Sequence, residues 1–290
     1  MKPIQFVFTT IFALSIFFIG QSQNNDPSNK LLGVITKNEL TKGNYAAWFN
    51  LEYDSYTPNL KTISALEKDL SKYTILVFMG TWCGDSRQEV PRFYKILEAA
   101  NFPMNNLKVV AVDNDRNNYK KSPNGEEKGL NIHRVPTFIF YKNGKEINRI
   151  VEHPIETLEA DINAILIGAN NYKPNYYSIE VLQKLLNDPT ETNTKIAEKL
   201  KSIVTSETEL NGLGYLYLND KNYEKAISIF TINNLLFPTN FNTYDSLAEA
   251  FEISGEKALA LKNYELAFAL IQQNPIIVQL KNKIENLKKN

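Results

Sequence analysis

Cys83 is the only cysteine in the sequence, so any thiol chemistry must pass through it alone. It stands in Trp82-Cys83-Gly84-Asp85-Ser86, just after the uncharged run Thr74-Ile75-Leu76-Val77-Phe78-Met79. That run reads as a buried strand, being short, apolar and rich in β-branched residues. Val90, Phe93, Tyr94 and Leu97 come next at helical spacing. Cys83 is therefore expected where a strand hands over to a helix. The free N–H groups and positive dipole end of a helix N-terminus stabilise an anion, and the thiolate is the nucleophilic form of cysteine. A reactive, partly exposed thiol is expected there, rather than the inert buried cysteine of an ordinary core. Asp85 opposes a negative charge on the sulfur, and Arg87 partly offsets Asp85. Ser86 stands where a second cysteine would complete a Cys-x-x-Cys pair. A hydroxyl cannot attack a mixed disulfide, so an external thiol must release any adduct. Ser86 is expected to satisfy a backbone N–H in the first helical turn, with a hydrogen bond toward the Cys83 sulfur also open to it.

Other chemistries find little support. His133 and His153 are the only histidines, and neither has a metal-ligand partner at short spacing. His133 is expected to be a solvated loop residue. Asp113-Asn114-Asp115-Arg116-Asn117 lacks the glycine and terminal glutamate of a calcium loop, and reads as a turn after a strand. There is no Gly-rich phosphate loop and no serine-hydrolase elbow, so no metal and no cofactor are expected. Lysine plus arginine number 32, as do aspartate plus glutamate. This balance offers no attraction to nucleic acid or to an anionic membrane surface.

The N-terminus has the pattern of an export signal. Lys2 supplies a positive start, and Phe6 to Ile19 is apolar and uncharged. At about 14 residues this run fits a signal peptide and falls short of the ~20 needed to span a bilayer. Gly20 and Ser22 are small and suit cleavage after Ser22, which would start the mature chain at Gln23. An uncleaved membrane anchor is the alternative. With cleavage, the protein is exported to a periplasm or the medium and retains no membrane span. A lone thiol in such an oxidising compartment is unusual.

The elements that must position Cys83 can be read from pattern and turn chemistry. Residues 23–59 read as an N-terminal linker and a helix over Asn38 to Tyr53. Leu60 to Leu70 is a second helix. Leu107-Lys108-Val109-Val110-Ala111-Val112 and Thr137-Phe138-Ile139-Phe140-Tyr141 read as further strands, with the polar span from Asn114 to Gly129 as a loop. Lys142-Asn143-Gly144-Lys145 predicts a hairpin, because Asn-Gly suits a type I′ turn. Glu146 to Val151 is the returning strand, and Ile155 to Ile167 the closing helix.

In this order the segments at 60–170 resemble the thioredoxin-like family. Trp82-Cys83-Gly84 comes after the central strand, Pro91 lies eight residues after the cysteine, and Val135-Pro136-Thr137 precedes the Phe140-Tyr141-Lys142-Asn143-Gly144 hairpin. The resemblance implies an α/β domain with a central mixed sheet flanked by helices. It implies a cis Val135–Pro136 bond facing Cys83, with the backbone of residue 135 pairing with an extended substrate chain. It also implies roles for Cys83, Ser86 and Trp82 in catalysis, and for Val135, Pro136, Gly84 and Asp85 in binding substrate. Dithiol members commonly carry a buried aspartate where this chain has Val77. Losing the second thiol and losing its base are mutually consistent.

Residues 171–290 read as an all-α domain. Leu213-Gly214, Tyr217, Ala226 and Phe230 recur 34 positions later (213 to 247) as Leu247-Ala248, Phe251, Ala260 and Tyr264. Period and residue types resemble tetratricopeptide repeats, at about 207–240 and 241–274. Leu182 to Ile203 is helical in pattern, broken near Pro189. Ile277, Leu280, Ile284 and Leu287 suggest a capping helix. Two repeats are fewer than the roughly three that usually stand alone, so neighbouring elements or a second chain must support them.

The expected function is monothiol thiol–disulfide exchange through Cys83, with a protein or small-molecule thiol or disulfide as substrate and a protein partner on the repeats. A non-catalytic peptide- or protein-binding scaffold is the alternative reading. A homodimer joined through Cys83 is a third.

Overall fold

The computed structural model describes residues 30–168, 171–271 and 276–289. The segment read as an export signal lies outside them. No helix among the described residues is long and apolar enough to cross a membrane.

The first half is a five-stranded mixed sheet with helices packed on it. Its elements are β1 (Gly33–Ile35), α1 (Lys37–Leu40), α2 (Gly43–Ser55), α3 (Leu60–Leu70), β2 (Thr74–Met79), α4 (Gly84–Ala99), β3 (Leu107–Ala111), β4 (Thr137–Lys142), β5 (Lys145–Val151) and α5 (Leu158–Gly168). The spatial order is β1-β3-β2-β4-β5. β2 runs parallel to β3 and antiparallel to β4, and β1 and β5 close the edges in antiparallel pairing. β2 is thus the central strand, and the chain leaves the middle of the sheet as it turns into α4. The alternating side chains of β2 divide the core: Ile75, Val77 and Met79 pack beneath α2, α3, α4 and α5, while Phe78 joins Val110, Ile132, Val135 and Ile139 on the other face.

Several sequence expectations are corrected. The segment read as a linker contributes β1, and Ile35, Leu40 and Phe49 are buried in the main core. The expected helix over Asn38 to Tyr53 is two helices, parted at Thr41 and Lys42. The closing helix starts at Leu158 rather than Ile155, because the Asp161 carboxylate accepts from the backbone N–H groups of Ile155 and Glu156 ahead of it. The hairpin turn has φ of 53° at Asn143 and 74° at Gly144, the two positive values a type I′ turn requires.

The second half comprises α6 (Tyr177–Leu186), α7 (Asn193–Leu200), α8 (Glu207–Asn219), α9 (Tyr223–Leu236), α10 (Phe241–Ser254), α11 (Lys257–Leu270) and α12 (Ile277–Lys289). The hairpins α8–α9 and α10–α11 are the two self-similar segments. Gly214 lets them close up: a Cβ there would lie 2.5 Å from the Phe230 ring. Ala248, the corresponding residue, is buried with Ala260 and Tyr264. Support comes from both ends. α6 and α7 share a core with α8 and α9, and Ile277, Leu280, Ile284 and Leu287 of α12 cover the far end. The helices also grip the sheet domain. Arg116 pairs with Glu249, Lys121 with Asp220 at 2.7 Å, and Arg134 donates to the Thr208 carbonyl at 2.8 Å.

Candidate functional site

Cys83 is the N-cap of α4, with extended backbone (φ −89°, ψ 130°), and is half-buried. Its backbone N–H bonds the Gly80 carbonyl at 2.9 Å, and its carbonyl accepts from Arg87 N–H at 3.0 Å. The thiol faces the Val135 carbonyl, 3.2 Å away, and the Asp85 carboxylate lies 3.8 Å off. The Val135–Pro136 bond is cis, and both residues are buried. Cys83, Asp85 and the Val135–Pro136 segment therefore meet at one point, with Gly84 and Asp85 exposed beside it. The carbonyl of residue 135 points at the thiol itself.

Ser86 is fully buried, and its hydroxyl accepts from the Gly80 N–H at 3.1 Å. It thus satisfies a backbone N–H at the end of the central strand rather than one in its own helical turn. Trp82 donates from its indole to the Val112 carbonyl at 2.8 Å, and its ring lies 6.3 Å from that of Tyr119. Gly80 is required by this packing, since a Cβ would fall 2.5 Å from the indole. Arg87 donates from Nε to the Thr81 carbonyl at 2.7 Å, which fixes the turn from the helix side. Val77 is a buried core residue.

Sequence reasoning missed the groups behind the site. Tyr119, Lys120 and Arg134 come from segments read as loop. Lys120 is buried, with left-handed backbone (φ 58°), and its ammonium donates to the His133 carbonyl at 2.7 Å and the Tyr119 hydroxyl at 2.9 Å. Nothing in the Lys-Lys pair at 120–121 separates the buried residue from its partly exposed neighbour. Arg116, Tyr119 and Arg134 also line one wall of a cleft of about 1350 Å³, with Tyr215, Glu249 and Lys283 of the helical half opposite. Among the described residues no group of three potential metal ligands clusters.

His133 is not solvated, contrary to the sequence expectation. It is 5% exposed, its Nδ1–H donates to the Asn131 carbonyl at 3.0 Å, and Nε2 is buried without a hydrogen-bond partner among the described residues. Burial, with Arg134, Lys120 and Arg149 nearby, pushes its pKa down to about 3. The folded state holds this ring neutral, while the unfolded chain protonates it near pH 6.5. Its contribution is complete above that pH and is lost steadily as pH falls toward 3. At pH 5 the loss is about 2 kcal/mol. Asparagine keeps the donor to Asn131. In urea titrations at pH 7 and pH 5, His133→Asn should lose less stability on acidification than the parent; equal losses would contradict the assignment.

The comparisons with known proteins agree with this geometry. The thioredoxin family model matches residues 60–164. Thioredoxin-1 of Schizosaccharomyces pombe is 33% identical over 33% of this chain and 82% of its own length. The thioredoxin of Malassezia sympodialis is 32% identical over 31% of this chain and 79% of its own. A TPR repeat-containing thioredoxin of Arabidopsis thaliana is 32% identical over 37% of this chain, although the match spans only 25% of that relative. No solved structure matches. On its central sheet, its Trp82-Cys83-Gly84 turn and these relatives, the chain belongs to the thioredoxin family and carries a tetratricopeptide-like helical region after the thioredoxin domain.

Proposed function

We propose that this protein is exported and performs thiol–disulfide exchange through Cys83 alone. The observation that carries this reading is a half-exposed thiol at a helix N-terminus, against the Val135 carbonyl, with a buried hydroxyl at Ser86 in place of a resolving thiol. The Cys83 thiolate attacks a disulfide R–S–S–R′, forming Cys83–S–S–R and expelling R′–S⁻. Ser86 supplies no second thiolate, so an external thiol must attack the adduct. Such chemistry suits isomerisation, or repeated capture and release, better than net oxidation or reduction. The helical half is proposed to hold a protein partner. The cleft between Arg134 and Tyr215 supports this, since it opens beside the segment facing the thiol. Export rests on the N-terminal sequence alone.

Intact-mass spectrometry of protein recovered from its source organism under thiol-blocking, non-reducing conditions tests both parts. The mature chain should start at Gln23 and carry reducible adducts that vanish in Cys83→Ala. Unmodified Cys83 that also fails to exchange with added glutathione disulfide would leave the binding-scaffold reading in its place. A chain that retains Met1 would remove the export part alone.

A further inference from the structure

Residues 133–136 form the wall against which the Cys83 thiol sits, and their carbonyls are held one by one. Lys120 donates from Nζ to the His133 carbonyl at 2.7 Å, the Thr137 hydroxyl to that of Arg134 at 2.8 Å, and the Glu152 N–H to that of Pro136 at 2.7 Å. The carbonyl between them, that of Val135, meets the thiol at 3.2 Å. A sulfur that bonds to Cys83 must come within bonding distance of the same atom, so the group it carries passes beside Val135. Where this segment lies therefore governs how a disulfide is received.

Those backbone holds come from the sheet domain. The Arg134 side chain adds one from the helical half. Its Nη2 donates to the Thr208 carbonyl in the first turn of α8 at 2.8 Å. Gly212, one turn further along α8, permits this approach: a Cβ there would lie 3.2 Å from Arg134 Nη1 and 3.5 Å from the His133 carbonyl. The guanidinium also lies over the Tyr176 ring, 4.8 Å from its centroid, just ahead of α6. Its Nε is buried 3.9 Å from the Glu152 carboxylate, beyond hydrogen-bond reach. A planar guanidinium can donate along one edge while its face rests on a ring, which a lysine ammonium cannot do. At 20% exposed, this side chain has little water to replace a lost partner. Arg116 and Lys121, earlier in the β3–β4 connection, are tied to Glu249 and Asp220 of the same half.

We propose that Arg134 is a positioning residue for exchange at Cys83: through it, α8 fixes the 133–136 segment against the thiol, so the helical half is part of the frame of the site. The inference rests on Cys83 being the exchanging thiol. Arg134 acts through the backbone it belongs to and not by touching the reacting sulfurs. The contact is specific in its chemistry, because a charged donor to a carbonyl is stronger than a neutral one. It is specific in its geometry too, because only a residue without Cβ at position 212 leaves the guanidinium its place.

The test compares two reactions of the same sulfur in the full chain. Glutathione disulfide must lie along the segment to react, whereas iodoacetamide needs only the thiol. In Arg134→Ala the second-order rate of exchange with glutathione disulfide should fall about tenfold, the scale of losing a charge-assisted hydrogen bond, with alkylation unchanged. Arg134→Lys, which keeps the charge and one donor, should recover part of the rate. Gly212→Leu, which displaces the guanidinium from the α8 side, should repeat the loss, and it carries the test if Arg134→Ala does not fold. Amide hydrogen exchange read by mass spectrometry should quicken at 133–137 in both variants. Exchange with glutathione disulfide at the parental rate in either folded variant would overturn the proposal. So would a matching fall in alkylation, which would place the effect on the thiol itself, or slowed exchange with unaltered amide protection, which would mean that Arg134 contacts the substrate directly. If the parent fails to react with glutathione disulfide, the proposed function falls, and the amide measurement still decides whether Arg134 holds the segment.

Discussion

Ser86→Cys should turn the trapping site into a self-releasing one. Residues 83 and 86 are three apart across the first turn of α4, so their side chains share a face. One helical turn brings such positions to about 5–6 Å, which a disulfide can bridge. The variant should therefore oxidise to an internal disulfide, seen as the loss of two hydrogens in the intact mass, and should discharge a glutathione adduct without added thiol. Under the proposed exchange the parent should keep its adduct until a thiol is supplied, so the difference in adduct lifetime should be very large. A cost accompanies the gain. The Ser86 hydroxyl accepts from the Gly80 N–H in a fully buried position, and sulfur accepts poorly there. The reduced variant should be destabilised by roughly 1–3 kcal/mol, the penalty of leaving a buried donor unmet. Val77 offers the new thiol no base, so release should be slower than in a dithiol site. Persistent adducts and no internal disulfide would mean that the two side chains do not meet, and that Ser86 does not occupy a resolving position.

Phe230→Ala should cost the helical half about 3–5 kcal/mol, the range for removing a buried aromatic side chain. Phe230 is fully buried on α9. Its ring fills the space left by Gly214 and packs edge-on to Tyr215 at 5.1 Å, among Leu218, Ala226, Leu247 and Ala250. These neighbours come from both repeat hairpins, and the resulting void cannot close without moving helices against one another. Urea titration monitored by circular dichroism should show the helical transition at much lower denaturant. A change below about 1 kcal/mol would mean that Phe230 does not bind the repeats together. Tyr264, which recurs at the same place in the second hairpin, is also fully buried, with its hydroxyl donating to Glu252 at 2.7 Å.

Much of this protein is written locally. The β2 run, the hand-over at Cys83, the Asn143-Gly144 turn and the breaks between the helices are legible because each depends on side-chain period, or on one backbone conformation a few residues can specify. The 34-residue recurrence is equally local, since each repeat is one helical hairpin with the same packing needs. Ser86 in place of a second thiol is a statement about chemistry that needs no coordinates. The sequence could not determine polar groups and short elements whose state depends on distant neighbours. β1 is three residues long and exists because β3 offers it an edge. His133 and Lys120 carry ordinary surface side chains, and only the closing of the 114–135 segment over the sheet removes both from water. Trp82 finds Tyr119, and Arg116 finds Glu249, across separations no local pattern encodes. Periodicity records which face of an element is apolar, and burial of a charge is decided by the tertiary contacts that replace its water.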